Sequence, residues 1–462
     1  SLSMMPQIYT TPSAPRMMIG YYAVLALPMM LVVPLAAYRS LESEIDDGTL
    51  ELLSITTLSP WQIVLGKLAS ASLQMLLYFV TLFPCLAYAY SLRGVDLPTT
   101  LLFVGMVGLA GSLLTVLGLC FAHLARGRTG LVASMLALLV ILVAAEYGVS
   151  YLVVNMIFYG NPLAKSELLY IVLSSIAIAV SLGNLLLTAT AAQLTPESEN
   201  RSTAIRLSLL GFTSVAIVTM ALAILTLGEN AMSVYVIGLL VVSGTWTFCS
   251  ALMVAERPTV TPRIRRELPS SFLGRLCLTW LTPGPTTGLI FSITGIAILG
   301  LMHQAAMIWI TRSGNQVAIP IPQLRRFLGE PAVLFPAYMI CFLVGVRVVM
   351  FVVRIRNNPR VEVGLAALAV VAVMAALIPY SVELHYNDYQ PLNYDPRWQV
   401  SNWVFTIATS IERGLPAGQT GKVVGAAVAM GLIAILSAWK LTRPRRIATP
   451  DRVKEELAAD VH

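Results

Sequence analysis

The chain has 462 residues, of which 57% are apolar and only 11% charged, and its net charge is +7. A typical soluble domain carries about 25% charged residues, so a water-soluble enzyme or binding module is excluded. Mean hydropathy is +0.78, and apolar runs of about 20 residues, the length that crosses a bilayer, recur from end to end.

These runs centre on residues 18–38, 63–90, 99–122, 131–151, 168–192, 207–227, 233–254, 286–310, 333–353, 362–381 and 422–440. The expected fold class is therefore all-α, a polytopic helical membrane protein with about eleven transmembrane helices. The runs are continuous rather than alternating in polarity, which argues against a β-barrel. Runs 207–227 and 233–254 are joined by a short link beginning Gly228-Glu229-Asn230 and read as a helical hairpin. Residues 1–17 contain neither a signal peptide nor a preceding span.

The first two runs are separated by the most informative stretch, Tyr38 to Ala69, YRSLESEIDDGTLELLSITTLSPWQIVLGKLA. Asp47 or Thr49 can cap a short helix, and the nearby acids suit its positive end. Leu50, Leu53, Ile55 and Leu58 supply a narrow apolar side, and Glu42, Glu44, Asp46, Asp47 and Glu51 a polar one. Ser59-Pro60-Trp61-Gln62 opens the next helix: Ser59 as N-cap, Pro60 at the first helical position, Gln62 completing a capping box. Trp61 suits the membrane interface. The two helices are thus expected as separate elements with a rigid joint near Leu58–Ser59. An interfacial anchor lying on lipid is the competing reading, but such helices carry Lys and Arg on their polar face. An acidic one is repelled by anionic lipid.

With this insert on the cytoplasmic side and strict alternation of the spans, 21 of the 30 Lys and Arg fall on its side and 9 on the other. That is the positive-inside bias. The loop Glu256–Thr287 is then cytoplasmic; it is basic at Arg263, Arg265 and Arg266, and a short amphipathic helix is expected around Ser270–Leu281. It reads as an anionic-lipid anchor. Residues 382–420 form the longest outer stretch, and Tyr386, Tyr389, Tyr394, Trp398 and Trp403 read as an interfacial aromatic belt ahead of a helix-like run to Ile411.

Ionisable residues inside spans carry a default functional reading. Here they are Glu146, His303 and Arg347, without a recognisable proton relay. Glu146 lies near enough to the outer end to reach water, His303 can remain neutral, and Arg347 and Lys67 can snorkel to the headgroups. His123, His303, His385 and His462 are scattered, and the five cysteines lack metal-ligand spacing. The run Gly414 to Lys422 is only superficially a phosphate loop, with Pro416 at the required glycine and Val423 in place of Ser or Thr. Neither a catalytic site, a metal site nor a nucleotide site of its own is expected.

The segment GTLELLSITTLSPWQIVLGK resembles the loop between the second and third membrane helices of ABC type-2 permeases, the membrane subunits of a class of ATP-binding cassette transporters. The resemblance is specific over residues 38–70 and architectural to about residue 192. It implies a coupling helix at about 42–58 that docks on a separate ABC ATPase, with Glu44, Gly48, Thr49, Leu50, Glu51, Leu52 and Leu53 as the contacting positions. It implies an exporter that binds no cofactor itself, uses ATP through its partner and pairs with a second permease subunit as a homo- or heterodimer. The setting is the cell (inner) membrane, with no nucleic-acid partner. Members of the family usually begin with one more span, so either the chain lacks its first, making twelve in the intact protein, or its amino terminus is translocated without one; the first reading is the favoured expectation. The expected organisation is a permease-like core over 1–192, a helical hairpin and basic loop over 193–285, and a second transmembrane bundle over 286–462. The rival readings are a membrane-embedded enzyme or scaffold, or a secondary transporter, working without an ATPase.

Overall fold

The computed structural model describes residues 14–48, 58–91, 97–122, 128–159, 165–195, 199–227, 231–257, 271, 278–312, 328–356, 361–390, 394–416 and 418–441. Among these there is no strand, and eleven helices are long and apolar enough to cross a membrane. The protein is an all-α, multi-pass membrane protein, with the number of spans that the sequence predicts. It divides into two compact units, Ser1–Thr195 with Leu207–Leu222, and Pro196–Arg206 with Ala223–His462.

In the first unit, α1 (Ala14–Leu27), a π-helical turn (Pro28–Val32) and α2 (Val33–Asp46) run on as one span. Then come α3 (Pro60–Ser91), α4 (Leu97–Phe121), α5 (Arg128–Tyr159) and α6 (Lys165–Leu194). α4 is the centre of this unit and packs against every one of the others. Lipid tails are as apolar as leucine, so such helices are held by close packing and hydrogen bonds rather than by the hydrophobic effect.

The π-turn has an identifiable cause. Val33 N–H donates to the carbonyl of Pro28, five residues back, where an α-helix would bond four back. Pro34 follows and has no N–H, so it cannot serve the next carbonyl in the series, that of Met29. α4 covers it: a Cβ on Gly111 would stand 2.8 Å from Met29 O, and one on Gly118 2.6 Å from Pro34 O. Glycine is required at both points because only a bare Cα lets the two backbones approach so closely.

The second unit contains the first turn of α7 (Ser202–Thr226), whose middle belongs to the first. α8 (Ala231–Val254), a 3₁₀ turn (Thr279–Leu281), α9 (Pro285–Arg312), α10 (Pro331–Arg356) and α11 (Val363–Tyr386) follow, then short α12 (Pro396–Gln399), α13 (Trp403–Glu412) and α14 (Gln419–Leu441). α10 is central, packing on α8, α9, α11, α13 and α14. Of the amphipathic helix expected around Ser270–Leu281, most lies outside the described residues, and its end is the 3₁₀ turn.

One end of this unit is knotted by a buried arginine. Arg206 is fully buried and pairs with Glu256 at 2.8 Å. Its other terminal nitrogen donates to the carbonyls of Trp280 and Thr282, both at 2.6 Å. Glu256 also accepts from Gly284 N–H at 2.6 Å and from the Ser202 hydroxyl. Arg354 closes the knot by donating to the carbonyls of Ala255 and Glu256, at 2.7 and 2.6 Å. The starts of α7 and α9 and the ends of α8 and α10 therefore meet, as alternation of the spans requires.

At the other end the structure departs from the expected aromatic belt. Trp403 does not stay at the interface. Its indole N–H donates to the carbonyl of Ala372, midway along α11, at 3.0 Å, and its ring lies edge-on to Phe342 at 6.4 Å. Phe342 is eleven residues into α10, roughly 16 Å along its axis, so α12 and α13 dip back among the spans. Backbone at that depth is tolerated only when its polar groups are satisfied internally. Glu383 (2% exposed) accepts from the Gln399 amide, Asn402 donates to Gln399 Oε1 at 2.8 Å, and Thr406 donates to Gln399 O at 2.9 Å. Burial pushes the Tyr394 phenol above its ordinary pKa, so it stays neutral beside Thr406 at 3.3 Å.

The lysine and arginine bias also sets a direction that labelling can check. With the native cysteines replaced, a single cysteine at Ser381 is expected to react with an impermeant maleimide from outside. One at Thr261 is expected to react only from the cytoplasmic face. The reverse pattern would invert the topology.

Candidate functional site

α2 runs past its apolar part to Asp46 and stops at a turn, where Gly48 adopts φ +69°. A left-handed residue just past a helix end is a common stop, and glycine takes it without a Cβ clash. The acids Glu42, Glu44 and Asp46 consequently ride on the last turns of a membrane helix rather than on a separate one. Asp47, expected as an N-cap, is instead the C-cap of α2, its N–H donating to Ser43 O at 2.9 Å. The reason is that charge ends an apolar run but does not end a helix, and nothing before Gly48 breaks this one.

The far side of the insert matches the sequence reading. Ser59 N–H donates to Gln62 Oε1 at 2.8 Å, and Gln62 N–H to Ser59 Oγ at 3.3 Å, the two reciprocal bonds of a capping box. Pro60 is the first residue of α3.

The two ends are tied together. Lys67 forms an ion pair with Glu44 and donates to Ser40 Oγ at 2.8 Å, with a longer contact of 3.4 Å to the Ser40 carbonyl. Lys67 has a carboxylate within reach on α2 at the helix end. The pair is partly exposed (22% and 30%), and ion pairs in such settings contribute about 0–1 kcal/mol. Its value is geometric, since it fixes the spacing of the two helix ends.

No family model, curated protein or solved structure matches the chain.

Of the residues expected to contact an ATPase, Glu44 and Gly48 are thus placed at the end of α2. Thr49, Leu50, Glu51, Leu52 and Leu53 lie outside the described residues. Further up, the first span is fastened to α5 at two points in antiparallel register. Tyr22 OH meets Ser150 Oγ at 2.8 Å and Tyr38 OH meets Ser134 Oγ at 3.0 Å. Interhelical bonds of this kind average about 0.6 kcal/mol in a membrane protein. Ser150 also donates to Glu146 at 2.8 Å, so Glu146, read from the sequence as reaching for water, has a partner on its own helix. Both tyrosines are nearly or fully buried, and neither was singled out from the sequence, where a tyrosine in an apolar run looks like any other.

In the second unit His303 is buried and bridges two elements. Its Nε2 donates to the carbonyl of Leu328 at 3.2 Å, and its Nδ1 lies in hydrogen-bond contact with Tyr235 OH at 2.6 Å. Its neighbour Gln304 secures the same turn through Gly329 O at 3.1 Å. Arg206 was the principal omission; its signal was an arginine in the first turn of an apolar run, with Glu256 at the end of the next.

Proposed function

We propose that the chain is the permease subunit of an ABC transporter, an exporter in the cell membrane driven by ATP hydrolysed on a separate ATPase subunit. The observation that carries this reading is the segment GTLELLSITTLSPWQIVLGK, which follows the acids Glu42, Glu44, Asp46 and Asp47 at the end of one membrane helix and runs into the next. Its geometry supports the reading in a mechanical sense. A force applied to the insert enters α2 through Gly48 and α3 through the Ser59 cap, and the Lys67–Glu44–Ser40 tie keeps those ends at one spacing. A flexible connection would absorb the push; two regular helices carry it into the bundle as rigid bodies. In the first span the π-turn at Pro28–Val32 lies between the two tyrosine fastenings, and π-turns inside helices frequently mark functional positions. Two permease subunits together would then enclose the route, each receiving one ATPase.

The docking role is tested by Glu51→Arg combined with Leu53→Asp, which reverses one charge and removes one apolar contact of the insert. Copurification with the cognate ATPase is expected to be abolished, while the yield and thermal stability of the membrane chain stay as in wild type. Retention of the ATPase at wild-type stoichiometry would refute the coupling role.

A further inference from the structure

Around the Lys67–Glu44 pair, α2 and α3 line an open cleft of about 520 Å³. Small residues make it: Ala36 and Ser40 on α2, Gly66 and Ser70 on α3. A Cβ added to Gly66 would meet nothing within 4 Å. The cleft is not uniformly apolar. Gln62 lines it near the membrane surface, and Gln74 lines it about 18 Å further along α3 at 1.5 Å per residue. Ser40, Glu44, Gln62 and Lys67 gather all of its charge and most of its polarity toward the helix ends, so the cleft suits an occupant with polar groups at one end and chains beside it.

We infer that this cleft holds one zwitterionic glycerophospholipid with a primary ammonium headgroup. Charge complementarity selects that occupant. The mouth offers one cation, Lys67, and one anion, Glu44, with the Ser40 hydroxyl between them. A phosphate oxygen replaces the weak 3.4 Å contact that Lys67 makes with the Ser40 carbonyl, and the ammonium donates to the Glu44 carboxylate, which accepts several hydrogen bonds at once. A quaternary ammonium has no N–H to donate there. A headgroup with net negative charge meets Glu42, Asp46 and Asp47 on the same helix end and is repelled. The acyl chains lie along Ala36, Ala37 and Ala71. Such a lipid needs no ATPase, so its presence is independent of the transporter reading.

The full chain, purified in detergent, can be offered equimolar synthetic phosphatidylethanolamine, phosphatidylcholine and phosphatidylglycerol of matched chains and examined by native mass spectrometry. Retention of one phosphatidylethanolamine at least fivefold above either competitor is expected. Glu44→Gln should bring it down to the phosphatidylcholine level. Gly66→Leu with Ser70→Leu fills the cleft and should lower its retention at least tenfold, whereas Gly66→Ala is too small to fill it and should keep the lipid. Equal retention of the three lipids by wild type, or undiminished phosphatidylethanolamine in the filled variant, overturns the inference. So does a change of oligomeric mass in the filled variant, which would assign the cleft to a second copy of the chain. Should the doubly filled variant fail to fold, the Glu44→Gln selectivity still decides.

Discussion

Arg206→Ala is expected to cost about 3–5 kcal/mol, the range for breaking a buried ion pair by removing one partner. The loss has three parts. Among the described residues, Glu256 keeps its charge with the Gly284 N–H and the Ser202 hydroxyl as its remaining side-chain donors. The carbonyls of Trp280 and Thr282 lose their donor. The cation also leaves the face of Phe291, over which it sits at 5.7 Å. Arg206→Lys should recover less than half of this, because a single ammonium cannot span two carbonyls and a carboxylate as the planar guanidinium does. Arg206→Met with Glu256→Gln removes both charges and should be milder than Arg206→Ala alone. Thermal unfolding of the purified variants in one detergent measures all three, and an Arg206→Ala midpoint within a degree of wild type would show that the knot is not structural.

Arg206 also shows where sequence reading stops. The eleven spans were legible because hydropathy is a property of consecutive residues, and a bilayer imposes one length on all of them. The capping box was legible because Ser59 and Gln62 are three apart. The Arg206–Glu256 pair joins residues fifty apart, and the loop carbonyls it binds have no side-chain signature at all. The same holds for the dip of α12 and α13: Trp403 looks like a belt residue until its partner, a mid-helix carbonyl of α11, is known. At the insert the residue types were read well and the boundary was not. Glu42, Glu44 and Asp46 read from the sequence as the polar side of a short separate helix, whereas they continue the membrane helix α2. Helix ends are set by backbone stops, and here the stop is Gly48.

Four glycines on α4 give the most discriminating experiment, since one substitution on one helix should change sign with position. Gly105 and Gly108 have open space where a Cβ would go, whereas a Cβ on Gly111 or Gly118 would stand 2.8 or 2.6 Å from a backbone carbonyl of the first span. Alanine is better than glycine in a helix interior by about 1 kcal/mol, so Gly105→Ala and Gly108→Ala should be neutral or stabilising. At Gly111 and Gly118 the obstacle is main chain, which no rotamer change can relieve, and overpacking of this kind costs about 1–3 kcal/mol. Gly118→Val should exceed that range. The consequences reach beyond stability, because the displaced element is the span whose end carries the acidic insert. A variant at Gly118 that still folds is expected to shift α2 against α4, loosening the Tyr38–Ser134 and Lys67–Glu44 fastenings. Crosslinking between cysteines placed at Ser40 and Ser70, which line opposite walls of the cleft, reports that shift directly. An unchanged crosslinking rate together with an unchanged melting point in Gly118→Ala would mean that α4 does not hold the first span in place.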